Sequence, residues 1–117
     1  MKSATGEQIQ QFAELSGDTN PIHIDKEQAS KSIFGERVIH GVYALGWVSA
    51  ELADLYTDDT VILRGFESIE FHKPITLEEE VEISLSEVKL AETIDFTITN
   101  PETDEVKVTG TALITVV

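Results

Sequence analysis

Between Gly41 and Tyr56 the chain is apolar on nearly every side of a helix, with Val42, Tyr43, Leu45, Trp47, Val48, Leu52 and Leu55 leaving no polar stripe. A helix of that kind has to be covered all round, so it predicts a long buried central helix with other elements wrapped about it. The C-terminal half of the chain can supply the wrapping. From Val61 the hydrophobic period drops to two: Ile69 and Phe71 inward against Glu70 and His72 outward, then Val81, Ile83 and Leu85. Val88 and Leu90 continue on shifted parity, which predicts a bulge near Ser86-Glu87. Ile94, Phe96 and Ile98 make a third strand, closed by the turn Asn100 to Asp104, and Val106, Val108, Ala112, Ile114 and Val116 make the last. Helices followed by a run of antiparallel strands predict an α+β chain with its helices on one face of the sheet. No linker or repeat interrupts residues 1–117, and 117 residues are an ordinary size for one domain.

The segment ahead of the central helix carries the chemistry. Thr5 with Gln8 predicts a capping box opening a helix that runs to about Leu15, with Ile9, Phe12 and Ala13 on one face. Gly17 suits a left-handed cap at its end. Asn20-Pro21 forces a turn, because Pro21 fixes its own φ and keeps Asn20 out of the α region. Asp25 with Gln28 predicts a second short helix over about Lys26 to Ser32. Asp18 and His23 then stand five residues apart at the two ends of a stiff bend, where a carboxylate and an imidazole could hold one water between them. As an isolated pair they read more readily as cap and turn residues than as catalytic groups.

Taken whole, residues 12 to 29, FAELSGDTNPIHIDKEQA, resemble the signature of the R-specific enoyl-CoA hydratases, the MaoC-like branch of the hot-dog fold. Phe12, Leu15-Ser16-Gly17-Asp18, Asn20-Pro21, Ile22, His23 and Ala29 meet the signature, and the likeness continues through Phe34 and His40-Gly41 into the next helix. The resemblance implies a single hot-dog domain in which an antiparallel sheet wraps the central helix. It also implies homodimers with the active site at or near the subunit interface. Family members usually carry a further strand ahead of the first helix; the likeness therefore implies a sheet one strand short here, with an edge open to a second copy.

The implied reaction is the reversible syn addition of water to a trans-2-enoyl-CoA, giving an (R)-3-hydroxyacyl-CoA. Asp18 and His23 would activate the water. Gly41, at the helix start where backbone N–H groups are free, is the candidate oxyanion donor or else a packing glycine. Asn20 reads as a turn-former that orients its neighbours. Ser49 either satisfies its hydroxyl on a helix carbonyl or orients Asp18. Tyr43, Leu45, Trp47 and Leu52 are expected to narrow an acyl tunnel, which favours short chains, and Arg37, Arg64 and Lys73 are the candidate phosphate contacts. His40 reads as a cap or packing residue and His72 as surface. No cofactor is expected beyond the coenzyme A of the substrate. Asp18 and His23 are only two ligands and His40 has no helical partner, so no metal site is expected.

Charge narrows the partners. A net charge of −14 argues against nucleic acid and anionic membrane surfaces, and disfavours an acidic carrier protein. Twelve isoleucines, with lysine as six of the eight basic residues, fit a salt-adapted host poorly. Zero cysteines exclude disulfides and thiolate chemistry. No apolar run is long enough to span a bilayer and Met1-Lys2-Ser3 leads into polar residues, so the cytoplasm is the expected address. Three competing readings remain: a carrier-protein or CoA 3-hydroxyacyl dehydratase, a hot-dog thioesterase, and a non-catalytic acyl-CoA-binding or scaffold module. The intact Asp18-x-Asn20-Pro21-x-His23 turn weighs against the last two.

Overall fold

The computed structural model describes all 117 residues, Met1–Val117. Helix α1 spans Gly6–Ser16, and both halves of its capping box are made: the Gln8 amide donates to Thr5 Oγ1 at 3.1 Å and the Thr5 amide to Gln8 Oε1 at 2.9 Å. Gly17 ends it at φ 84°, and its N–H reaches the Ala13 carbonyl. A one-turn helix α2, Pro21–Ile24, comes next, with Asn20 as its N-cap and Pro21 at the first helical position, where a missing N–H costs nothing. Helix α3, Lys26–Ser30, is capped by Asp25 as expected but stops two residues early. Ser32 turns its hydroxyl back on the Ala29 carbonyl at 2.6 Å.

Helix α4, Gly41–Leu55, is the central helix, and strands β1 (Val61–Phe71), β2 (Glu82–Lys89), β3 (Thr93–Asn100) and β4 (Glu105–Val116) form an antiparallel sheet in the order β1-β4-β3-β2. The helix lies close to both outer strands, β1 and β2. With neighbouring strands about 4.8 Å apart, a 15-residue helix laid across the sheet is long enough to reach both of its edges. The expected irregularity in β2 falls between Glu87 and Lys89. At Gly110 an added Cβ would stand 2.5 Å from the Ser68 carbonyl oxygen and 2.6 Å from Phe96 Cζ; the close pass of β4 by β1 and the core ring requires glycine there. Beside β2, Lys2 makes a single antiparallel bridge with Val81. No helix is long and apolar enough to cross a membrane.

Two readings of burial need correction. Within the chain α4 buries one face, Ala44, Val48 and Leu52, against Ile94, Phe96, Ile98, Val108 and Ile114. Val42 is 58% exposed, and Gly46, Ser49, Ala50 and Ala53 lie on the open side. The helix is apolar nearly all round, broken by Ser49, Glu51 and Asp54, yet four strands of a single chain cover only part of it. The second correction concerns β4, where a register shift opposite Ile98/Thr99 turns Lys107 inward and leaves Val106 exposed. Lys107 Nζ donates to Glu79 Oε2 (2.9 Å), Glu105 Oε1 (2.8 Å) and the Pro74 carbonyl (3.1 Å). Its own carbonyl accepts the N–H groups of His72 (2.8 Å) and Lys73 (3.2 Å). One residue thus holds the 72–74 segment from both its backbone and its side chain.

Candidate active site

Asp18 sits in the bend between α1 and α2, and its carboxylate is oriented locally. The Asn20 amide donates to Asp18 Oδ1 at 3.3 Å, and Asn20 Oδ1 accepts the Ile22 amide at 3.3 Å, a pair of side-chain turns that leaves Oδ2 free. Asn20 is therefore the turn-former its position predicts. His23 is carried by α2, and its Nδ1 lies 2.8 Å from the Val38 carbonyl oxygen. A carbonyl only accepts, so Nδ1 carries the hydrogen and, in the neutral ring, Nε2 presents its lone pair. Nε2 lies 4.0 Å from Asp18 Oδ2, with the His23 side chain 12% and the Asp18 side chain 50% exposed. That gap is too long for a direct hydrogen bond. A water about 2.8 Å from each atom would bridge them at roughly a right angle.

The segment that locks His23 is itself fixed from below. The Val38 amide donates to the Ile22 carbonyl at 3.2 Å, the Ile39 amide to the Ile75 carbonyl at 2.8 Å, and Val38 bridges Thr76. Next in the chain, His40 is the N-cap of α4 without a side-chain capping bond, and it is 1% exposed. Its ring stacks on His23 at 3.9 Å and 27°, with Phe12 edge-on behind it at 4.8 Å. His40 Nε2 donates to the Asp18 carbonyl at 3.0 Å, whereas Nδ1 is buried without a protein partner. An unsatisfied buried acceptor costs about 1–3 kcal/mol. Asp18, His23 and His40 offer three ligand atoms within 4.8 Å of one another. Each imidazole already spends one nitrogen on a carbonyl and keeps one, so His40 adds a third ligand atom to the two that the sequence offered.

A cavity of about 460 Å³ opens beside this pair, within the usual range for a small-molecule site. Gly41 lines it, and the amides of Gly41 and Val42 have no hydrogen-bond partner in the chain. Gly41 is also a packing glycine: an added Cβ would meet Phe71 Cε1 at 2.7 Å. Lys73 is the one Lys or Arg of the lining. The other residues expected to line the site lie outside this cavity's wall. Leu52 belongs to the core, and Tyr43, Leu45 and Trp47 pack against it, away from the cavity. Ser49 is exposed and makes no bond to Asp18, whose side chain meets only the Asn20 amide and His23. Arg37 lies beside a separate polar hollow with Lys26, Glu36 and Glu78. Arg64 is exposed on β1, where its charge acts on Glu92.

Residues the sequence did not mark complete the wall: Val42 and Ala44 from α4, and Phe71 and His72 from the end of β1. His72 Nε2 lies 2.7 Å from Thr109 Oγ1 and 3.4 Å from Glu70 Oε2. The one signal for this stretch was the Lys73-Pro74 step that ends the strand.

Comparison with known proteins agrees with this architecture. Residues 2–108 match the family model described as MaoC like domain. Over 89 residues, 76% of this chain, it is 31% identical to a 3-hydroxybutyryl-CoA dehydratase of Methylorubrum extorquens, and over 80 residues, 68% of it, 31% identical to an (R)-specific enoyl-CoA hydratase of Rhodospirillum rubrum. These matches span 56% and 55% of those relatives' lengths, so this chain corresponds to about half of each. Among solved structures, an (R)-hydratase from A. caviae involved in PHA biosynthesis superposes with a TM-score of 0.83 at 25% identity, covering 97% of this chain and 89% of that one.

Proposed function

The chain belongs to the MaoC-like domain family and has its hot-dog fold, and on that premise we propose that it catalyses the reversible hydration of trans-2-enoyl-CoA thioesters to (R)-3-hydroxyacyl-CoA. The observation that carries the reading is the His23 imidazole with Nδ1–H held by the Val38 carbonyl and Nε2 set 4.0 Å from Asp18 Oδ2 at a cavity. The pair holds one water and takes its proton as the oxygen bonds to C3. The C2=C3 electron pair moves toward the thioester carbonyl, whose oxygen meets the free Gly41 amide at the positive end of α4. Collapse of the enolate draws a proton from the pair to C2. Hydroxyl and hydrogen are delivered from the same side, which makes the addition syn. Dehydration of a 3-hydroxyacyl thioester is the same path in reverse. Lys73 is the cation positioned to meet a phosphate of the thioester's carrier arm.

Loss of absorbance at the enoyl thioester band with crotonyl-CoA tests the reading, with chiral analysis of the product. Asp18→Asn and His23→Ala should each lower the rate at least about a hundredfold, the low end for general acid–base groups. Neither residue belongs to the buried apolar core, so both variants should stay folded. A folded variant of either kind with near-parental activity would refute the assignment.

A further inference from the structure

The hydratase reading uses Asp18, His23 and Gly41 and leaves unexplained why a histidine is buried between them. His40 touches all three. Its Nε2–H holds the Asp18 carbonyl at 3.0 Å, its ring face lies on His23 at 3.9 Å, and its own backbone opens α4 one residue before Gly41. Packing alone does not account for the residue. The ring is wedged beside Phe12 at 1% exposure, with Nδ1 unpartnered, so a phenyl ring would fill the space without stranding a polar atom. What a phenyl ring could not supply is the donor to Asp18.

That donor matters because Asp18 has few other ties. It lies in an exposed, irregular bend, and the only other bond to its main chain is from its amide to Ser16 Oγ at 3.1 Å. His23, by contrast, is held at Nδ1 by Val38 and pressed on one face by His40. We infer that His40 is the positioning residue that sets the separation of the Asp18 carboxylate from His23 Nε2, by anchoring the Asp18 backbone with one nitrogen and bracing the His23 ring with its face. It acts through those two groups and does not itself exchange a proton with substrate.

The inference rests on the hydratase reading, and its test separates the two. Crotonyl-CoA hydration is measured for the parent, for His40→Phe, which keeps a ring and loses the donor, and for His40→Gln, whose amide N–H reaches the Nε2 position. His40→Phe should lower kcat by about 10- to 100-fold, the scale of an ångström-sized misplacement, with KM within about threefold and a melting temperature no lower than the parent's. His40→Gln should recover at least about half of that loss on a logarithmic scale. A His40→Phe enzyme with parental kcat would overturn the inference. So would a loss that simply tracks a fall in melting temperature, or a well-folded His40→Gln no better than His40→Phe. Long-range proton–nitrogen spectra of the parent need no variant to fold: they should find His40 protonated at Nε2 and His23 at Nδ1, and the opposite tautomer at His40 overturns the inference. A parent without hydratase activity sinks the functional reading and leaves those spectra to judge the geometry.

Discussion

Replacing Lys107 by Met should be among the most destabilising single changes in the chain. The Lys107 side chain is 5% and that of Glu79 13% exposed, and they meet at 2.9 Å. Glu79 also accepts from Asn100 Nδ2 at 2.8 Å and from the Thr76 amide at 3.0 Å. Burial by itself would raise the Glu79 carboxyl and lower the Lys107 ammonium. The hydrogen bonds and attraction between them outweigh it, holding Glu79 below its ordinary value and Lys107 above. Methionine fills similar volume but strands a buried carboxylate, and breaking one side of such a pair costs about 3–5 kcal/mol. With an unfolding entropy of about 2.1 cal/mol/K per residue, the melting temperature should fall by roughly 12–20 °C. The double change Lys107→Met/Glu79→Gln removes the stranded charge and should recover at least about half of the loss. Linkage fixes the sign of the pH dependence. Glu79, with its lowered value, stabilises fully above its ordinary 4.5 and loses that contribution as pH falls through the lowered value. Lys107, with its raised value, contributes fully below its ordinary 10.5 and loses it as pH rises through the raised value. Urea unfolding at neutral and acid pH measures all of this. The double variant should lose less stability in acid than the parent. A Lys107→Met cost below about 1 kcal/mol, or a double variant no more stable than the single, would refute the reasoning.

Three further outcomes are expected. Gly41→Ala must displace the Phe71 ring, whose Cε1 lies 2.7 Å from the new Cβ; because Phe71 is half exposed and can swing out, thermal melts should show a cost of about 1 kcal/mol while crotonyl-CoA turnover falls about tenfold or more as the new methyl crowds the amide. Ala91 holds φ at 58° in the β2–β3 turn, so Ala91→Gly should raise stability by about 1 kcal/mol in urea titrations. The chain should form homodimers, since the open face of α4 around Val42 and the outer strands β1 and β2 are apolar or hydrogen-bonding surface awaiting cover; with −14 on each chain association should strengthen as salt screens repulsion, and light scattering that finds an active monomer at low and moderate salt would refute it.

The features legible in the residues are those decided within a few positions along the chain. The Thr5–Gln8 box, the left-handed Gly17, the Asn20-Pro21 turn, the Asp25 cap and the parity slip before Lys89 all arise from backbone sterics and hydrogen bonds between near neighbours. Those same forces bring Asp18 and His23 together, because only five positions and a rigid turn separate them. What tertiary structure alone decided lies farther off. A helix apolar on nearly every side has only a weak phase, so its large side chains could not say that Ala44, Val48 and Leu52 face the core while Val42 and Gly46 face outward. The tautomer of His23 depends on a carbonyl fifteen residues away, and the cavity wall on Phe71 and His72 from the far end of β1. Lys107 is buried because β4 slips register against β3 and brings it to Glu79 and Pro74. Local sterics act along the chain and can be read from it; burial and partner choice depend on which distant surfaces the folded sheet brings into contact.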